Sequence, residues 1–327
     1  MNAVIFGAGN IGRGFLGQLF YEASFNTIFI DINKDLLNKI NSSNSYNLCL
    51  ISNDFERLLE IKNVCAINGS NITAVANAVK NADIICTAVG VRALPFIVKG
   101  LAAGLIKRTE AVDIIICENL KDADKLLKEL VIKEESGITN VGFVEASIGR
   151  MVPASLPQQD IQYAEPYGII PIDADAMVRK LDIKGFIPSS PFEFYIERKL
   201  FLHNMSHTFC AWLGAKKGYT HIYEAIADNE IYNNVRDAMA ESSNALSKKY
   251  SKPYAEIFKH AEELLERYKN KRLADPISRV GGDVERKLGK NDRIYGAINL
   301  CKEQNMPYEH ISLAIEAGEW YINNIKG

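Results

Sequence analysis

Along roughly the first 150 residues, short apolar runs alternate with segments whose apolar positions recur at helical spacing. The runs AVIFG, NTIFID, ADIICTAV, VDIIICEN and NVGFVEAS read as strands. Between them lie FLGQLFYEA, NITAVANAVK, ALPFIVKGLAAGL and KDADKLLKELVIK, which read as helices. Such alternation predicts a parallel sheet with helices on both faces. Between the second and third runs, SYNLCLI and RLLEIKNVCAI predict an added strand pair, and strands return at IQYAEPYGIIPID and near DIKGFI. The break PSSP, Pro188 to Pro191, changes the pattern. Beyond it FEFYIERKLFLHNMSHTFCAWLG, YEAIADNEIYNNVRDAMAESSNALSKKY, PYAEIFKHAEELLERYKN and HISLAIEAGEWYINNI are helical in period. The expected organisation is α/β. A doubly wound domain over residues 1–189, with added strands, precedes a mostly α-helical domain over residues 190–327.

A chain of 327 residues, 47% hydrophobic and 24% charged, has the material for two such cores. Its formal net charge of -2 creates no broad field for nucleic acid or an anionic membrane surface, so neither is an expected partner. The six cysteines, Cys49, Cys65, Cys86, Cys117, Cys210 and Cys301, show no CxxC spacing, and several lie in strand-like runs where a thiol packs as a small hydrophobe. That usage predicts a reducing compartment, the cytoplasm. The N-terminus lacks a basic leader, and no apolar stretch approaches the ~18 residues that span a bilayer, so neither export nor anchoring is expected.

The first candidate chemistry is GAGNIGRGF, residues 7 to 15, directly after a strand-like run and before a helix-like one. In that setting Gly7 permits a tight turn, Gly9 lets the backbone approach a pyrophosphate, and Gly12 lets the helix pack on the strand. The amides of the same turn, through Asn10 and Ile11, would bind the phosphates at the helix's positive end. Asp31 ends the second strand-like run 19 residues beyond Gly12, where a carboxylate accepts from ribose hydroxyls and repels a 2′-phosphate. The context points to a Rossmann-type domain binding NAD rather than NADP. The plainer reading of Asp31 is an N-cap for the next helix.

The second candidate opens the helical domain at ERKLFLHNMSHTF, residues 197 to 209. On a continuous α-helix, at ~100° and ~1.5 Å per residue, Asn204 lies ~140° around from Lys199 and His207 ~80° around. All three can face one cleft. A lysine becomes a useful base when burial and a nearby cation lower its pKa, and Phe194, Tyr195, Phe201 and Leu202 supply an apolar setting. Singly, each has an ordinary reading: a solvated helix lysine, a surface or cap asparagine, a hydrogen-bonded histidine. His203 and His207 are spaced i, i+4 but lack an evident third ligand, so no metal site is expected.

KxxxxNxxH after a PSSP-like break, together with GAGNIGRGF, TAVG at 87 to 90, CEN at 117 to 119, VGFV at 141 to 144, ERKLF at 197 to 201, RVG at 279 and RKL at 286, resembles the polyol-specific long-chain dehydrogenases over nearly the whole chain. The resemblance implies zinc-independent, NAD-linked interconversion of a sugar alcohol, a phosphorylated hexitol foremost, and its ketose. It implies that Lys199 is the general acid/base, that Asn204 and Asn119 donate to the reacting oxygen, and that His207 positions substrate hydroxyls. Within SRVGGDVERKLGKNDR, residues 278 to 293, it implies that Arg279, Lys287 and Arg293 contact the substrate phosphate; composition alone suggests a solvated loop. Two features depart from the family. ASIGRMVP carries Gly149 where an aspartate precedes the arginine, with Glu145 close by in sequence. The chain also ends at Gly327, short of typical members, which predicts a thinner helical domain. An unphosphorylated polyol or hexuronate dehydrogenase, or a catalytically silent NAD(H)-binding protein, are the alternatives. The expected partner is a small polyol or sugar phosphate, and the expected state a monomer or small homo-oligomer.

Overall fold

The computed structural model describes residues 1–153 and 161–325. Two compact units emerge, one from Met1–Ile51 with Phe55–Phe192, the other from Glu193 onward with Ser52–Asp54.

The first unit is built on six parallel strands in the order β5-β2-β1-β6-β7-β8: β1 Asn2–Phe6, β2 Asn26–Asp31, β5 Val64–Asn68, β6 Ile84–Thr87, β7 Val112–Ile116 and β8 Val141–Glu145. The order reverses between β1 and β6, and the crevice outside that reversal is where open α/β sheets bind ligands. Helices α1 (Gly17–Glu22), α2 (Lys34–Ser43), α3 (Ile72–Lys80), α4 (Leu94–Leu105) and α5 (Ala123–Glu134) supply the covers. Both faces are packed: Phe15, Leu16, Phe20 and Phe29 lie in one cluster, and Val79, Leu101, Ile114 and Leu127 in another. Asparagines set two helix starts, Asn33 accepting from Leu36 N at 3.2 Å and Asn71 from Ala74 N at 3.1 Å.

One expectation about the added strands needs correction. RLLEIKNVCAI is two strands, not one. β4 (Glu56–Lys62) pairs antiparallel with β3 (Ser45–Ile51), but Asn63, at φ 58°, turns the chain and VCAIN joins the main sheet as β5 beside β2. Asn tolerates that left-handed conformation better than most residues, which is why the break falls there. β9 (Ile161–Ala164) completes the small sheet β4-β3-β9, and β10 (Ile170–Asp173) pairs in parallel with β11 (Phe186–Ser189).

The second unit is helical: α6 (Glu193–Arg198), α7 (Met205–Lys216), α8 (Ile222–Ala227), α9 (Asn229–Tyr250), α10 (Tyr254–Tyr268), α11 (Ile277–Gly281), α12 (Val284–Lys287), α13 (Tyr295–Glu303) and α14 (Glu309–Ile325). The helical segment from Tyr223 to Tyr250 is interrupted at Asp228, whose carboxylate caps α9 through Glu230 N and Ile231 N. Trp212, Phe209, Leu246 and Leu264 are fully buried in the core. Among the described residues no helix is long and apolar enough to cross a membrane. The chain end at Gly327 lies outside them.

Candidate active-site residues and what surrounds them

At the end of β1 the three glycines have separable tasks. Gly7 sits at φ +99°, and a Cβ there would stand 2.3 Å from Ala88 O. A Cβ on Gly12 would stand 2.0 Å from Gly7 O, so the turn closes only without side chains at both positions. Gly9 differs, since a Cβ there would meet nothing within 4 Å and its face is open space. The helical segment begins at Asn10 and Ile11. A helix leaves its first-turn amides without intrahelical partners, so this half-open turn fits a dinucleotide pyrophosphate.

Asp31 holds the turn in place. Its Oδ2 accepts from Ala8 N at 2.8 Å, and its Oδ1 from Ile32 N at 2.7 Å and Asn33 N at 3.0 Å. The cap of α2 is Asn33, not Asp31. A carboxylate has about four acceptor positions, so capacity for a ribose hydroxyl remains. Arg13 turns inward, its Nε donating to Ala8 O at 2.7 Å.

Across the reversal point, Glu118 links the carboxyl ends of β6 and β7. Its buried carboxylate accepts from Val89 N at 3.0 Å and Gly90 N at 2.8 Å. TAVG and CEN are thereby one clamped unit that presents Asn119, which is exposed. Glu145, at the end of β8 opposite Ile116, is pushed up to about 7 by burial and by the Asp124 and Asp122 carboxylates, despite a hydrogen bond from the Asp122 amide. At Gly149, where the resemblance led to the expectation of an aspartate, an added Cβ would stand 3.4 Å from Tyr167 Cε1.

In the second unit the helix expected to run unbroken through residues 197–209 contains a π-helical turn at Lys199–Asn204. Met205 N bonds to Leu200 O, five residues back, and to Leu202 O, three back, passing over Phe201 O. Residues five apart then return toward the same side, so Asn204 lies closer above Lys199 than the ~140° of an α-helix allows. His207 follows one further turn along, at i+3 from Asn204. A second π-helical turn, Gly12–Leu16, follows the glycine turn in the first unit.

His207 is held by two neighbours. Its ring stacks on Tyr268 with centroids 4.8 Å apart and planes at 10°. Its Nε2 lies 3.2 Å from Asp275 Oδ2, within ion-pair reach but off the line of a well-aligned hydrogen bond. Burial alone would raise the Asp275 carboxyl, yet its contacts with His207 and Arg279 hold it below the usual range. His203 is buried and kept neutral, by desolvation and then by the Arg267 charge. Among the described residues no group of three His, Cys, Asp or Glu side chains is placed to hold a metal ion.

The cations of residues 278–293 separate. Arg279 is exposed and engages Asp275. Lys287 and Arg293 are only 6% and 8% exposed, so the solvated-loop reading is wrong for these two. Lys287 Nζ donates to Val280 O at 2.5 Å, and burial, then the Arg293 and Arg286 charges, bring it down to about 8. Arg293 reaches Asp292 Oδ1 at 2.9 Å and Thr208 Oγ1 at 3.2 Å. Asp275 and Tyr268 carry no periodic or motif signal, and CEN does not disclose that Glu118 bonds Val89 and Gly90; only their neighbours in space assign these tasks.

Residues 1–185 match the family profile described as the mannitol dehydrogenase Rossmann domain, and residues 192–324 match the mannitol dehydrogenase C-terminal domain. A mannitol-1-phosphate 5-dehydrogenase of Caldanaerobacter subterraneus subsp. tengcongensis is 35% identical over 331 residues, spanning 97% of this chain and 86% of the relative. The enzyme of the same name from Lactococcus lactis subsp. lactis is 34% identical over 325 residues, spanning 94% and 84%. In fold the chain is similar to Pseudomonas fluorescens mannitol 2-dehydrogenase, solved as a ternary complex with NAD and D-mannitol, with a TM-score of 0.77 at 16% identity over 99% of this chain and 79% of that one. A substrate-free D-sorbitol dehydrogenase gives 0.84 at 14% identity, over 99% and 81%.

Proposed function

The chain belongs to the mannitol dehydrogenase family, and from the residues that its two units carry we propose that it is an NAD-dependent oxidoreductase interconverting mannitol 1-phosphate and fructose 6-phosphate. The observation that carries the reading is the π-helical turn bearing Lys199 and Asn204, with His207 one turn on. In alcohol oxidation the neutral Lys199 amine takes the hydroxyl proton, and in ketone reduction the ammonium returns it. Asn204 and Asn119 donate amide hydrogens to the oxygen as negative charge develops. His207, oriented by Asp275 and Tyr268, orients substrate hydroxyls. NAD, held at Gly7, Gly9, Asn10, Ile11, Gly12 and Asp31, supplies the hydride acceptor when bound.

The test is NADH consumption followed by absorbance with fructose 6-phosphate, fructose and fructuronate, in the presence of a metal chelator. Turnover confined to fructose 6-phosphate supports the reading. A preference for either other ketose assigns the related polyol or hexuronate activity, and no turnover with any ketose leaves a silent NAD(H) binder.

Asp31 sets the cofactor choice. NADH is expected to bind more tightly than NADPH, and Asp31→Ala to narrow that gap, because the carboxylate opposes a 2′-phosphate. Fluorescence titration measures it, and equal affinities for both in the wild-type protein would remove Asp31 from this role.

Lys287 predicts a pH effect on phosphate recognition. Because its ammonium loses charge above about 8, the KM for fructose 6-phosphate is expected to rise as pH passes that value. Lys287→Met should raise KM below that pH and flatten the rise above it. A wild-type KM that stays level from neutral pH past that value would separate Lys287 from the phosphate.

A further inference from the structure

At the wide turn Lys199–Asn204 the helix carbonyls meet hydroxyls from other elements. Phe201 O, the acceptor that Met205 N would use in an α-helix, accepts instead from Ser242 Oγ at 2.9 Å. Ser242 is fully buried on α9. That helix is tied to its surroundings on both sides of Ser242. Glu241 accepts from His310 N at 3.0 Å and Ile311 N at 2.9 Å. Further along, Lys249 Nζ and Tyr250 Oη reach Glu197 at 2.7 and 2.9 Å, two residues before Lys199. On the other side of the turn, the Tyr268 and Ser206 hydroxyls converge on His203 O at 3.0 and 3.2 Å.

The same device appears at the other π-helical turn. There Gly17 N bonds to Gly12 O and passes over Arg13 O, which accepts from Tyr46 Oη at 2.7 Å. In both units a hydroxyl from a separate element takes the carbonyl that the α-helical register would have used. A carbonyl left without a partner in the interior is costly, so a fixed external donor favours the wider turn over its α-helical alternative.

We propose that Ser242 is a positioning residue for the reaction, its hydroxyl holding the Lys199–Asn204 turn in the wide register that sets Asn204 above Lys199. The proposal rests on the reading of Asn204 as a donor to the reacting oxygen. Without the Ser242 hydroxyl, Phe201 O recovers the Met205 amide, the turn tightens, and Asn204 swings away around the helix.

The experiment is a double-mutant cycle of Ser242→Ala and Asn204→Ala, reading kcat for fructose 6-phosphate reduction, with NADH affinity and cooperative melting to establish folding. Ser242→Ala alone is expected to lower kcat by roughly 10- to 100-fold, the scale set by an ångström of misplacement. KM and NADH affinity should change far less. In the Asn204→Ala background the same substitution should cost nothing further, within about twofold, because the group it positions is gone. Ser242→Cys, nearly isosteric and a weaker donor, should recover part of the loss and provides a readout should the alanine variant fold poorly. Equal losses in both backgrounds, or full activity of Ser242→Ala and Ser242→Cys while Asn204→Ala is impaired, would overturn the positioning role. An Asn204→Ala enzyme of wild-type rate would overturn the functional reading itself, and the positioning role with it.

Discussion

Replacing Lys199 by alanine is expected to remove about 10² to 10⁴ of the rate in both directions while leaving NADH binding intact, the usual scale for a general acid/base. The pH dependence makes the result specific. Only the neutral amine accepts a proton, so alcohol oxidation should rise with pH in the wild-type enzyme. Only the ammonium donates one, so ketone reduction should fall over the same interval. One group governing opposite slopes is the signature of proton transfer, and a residue that merely supports the fold would move both directions together. Lys199→Ala should flatten both profiles. Lys199→Arg should do no better than alanine, since a guanidinium stays protonated across the working range. An alanine variant that kept its rate and both slopes would mean that Lys199 is an ordinary helix residue and that the proton acceptor lies elsewhere.

Asn204→Ala is the second large effect expected. Removal of one donor to a developing oxyanion costs about 2.7 to 4 kcal/mol, or about 10² to 10³ in kcat, because that bond strengthens as charge builds on the oxygen. The loss should fall on kcat with KM little changed, since the ground-state hydroxyl or carbonyl draws less from the same donor. The pH slopes attributed to Lys199 should survive. Steady-state kinetics in both directions across pH tests this. A variant with normal kcat and raised KM would make Asn204 a uniform binding residue rather than a transition-state donor. Ser242 enters here as well, because the energetic value of Asn204 depends on the turn that aims it.

By itself the sequence determined what depends on local pattern. Alternating apolar runs and helical periods are sufficient for a doubly wound sheet followed by helices, since burial of one face per element is a local requirement. The positions Gly7 and Gly12 declare themselves because a side chain there has nowhere to go. Lys199, Asn204 and His207 were legible as a spaced set, and Asn119 as a residue at a strand's carboxyl end. Which strand a run joins was less legible: VCAIN reads as the continuation of β4, and only pairing with β2 places it in the main sheet. The π-helical turn was not legible at all. Its local sequence KLFLHN is compatible with an α-helix, and the choice between registers is made by hydroxyls more than 30 residues away, Ser242 for Phe201 O and Tyr46 for Arg13 O. The same holds for Glu118 across Val89 and Gly90, for Asp275 beside His207, and for the burial that moves Lys287 and Glu145. Periodicity records which face of an element is apolar. Hydrogen-bond partners and desolvation are properties of groups brought together from distant parts of the chain, and only the tertiary structure decides them.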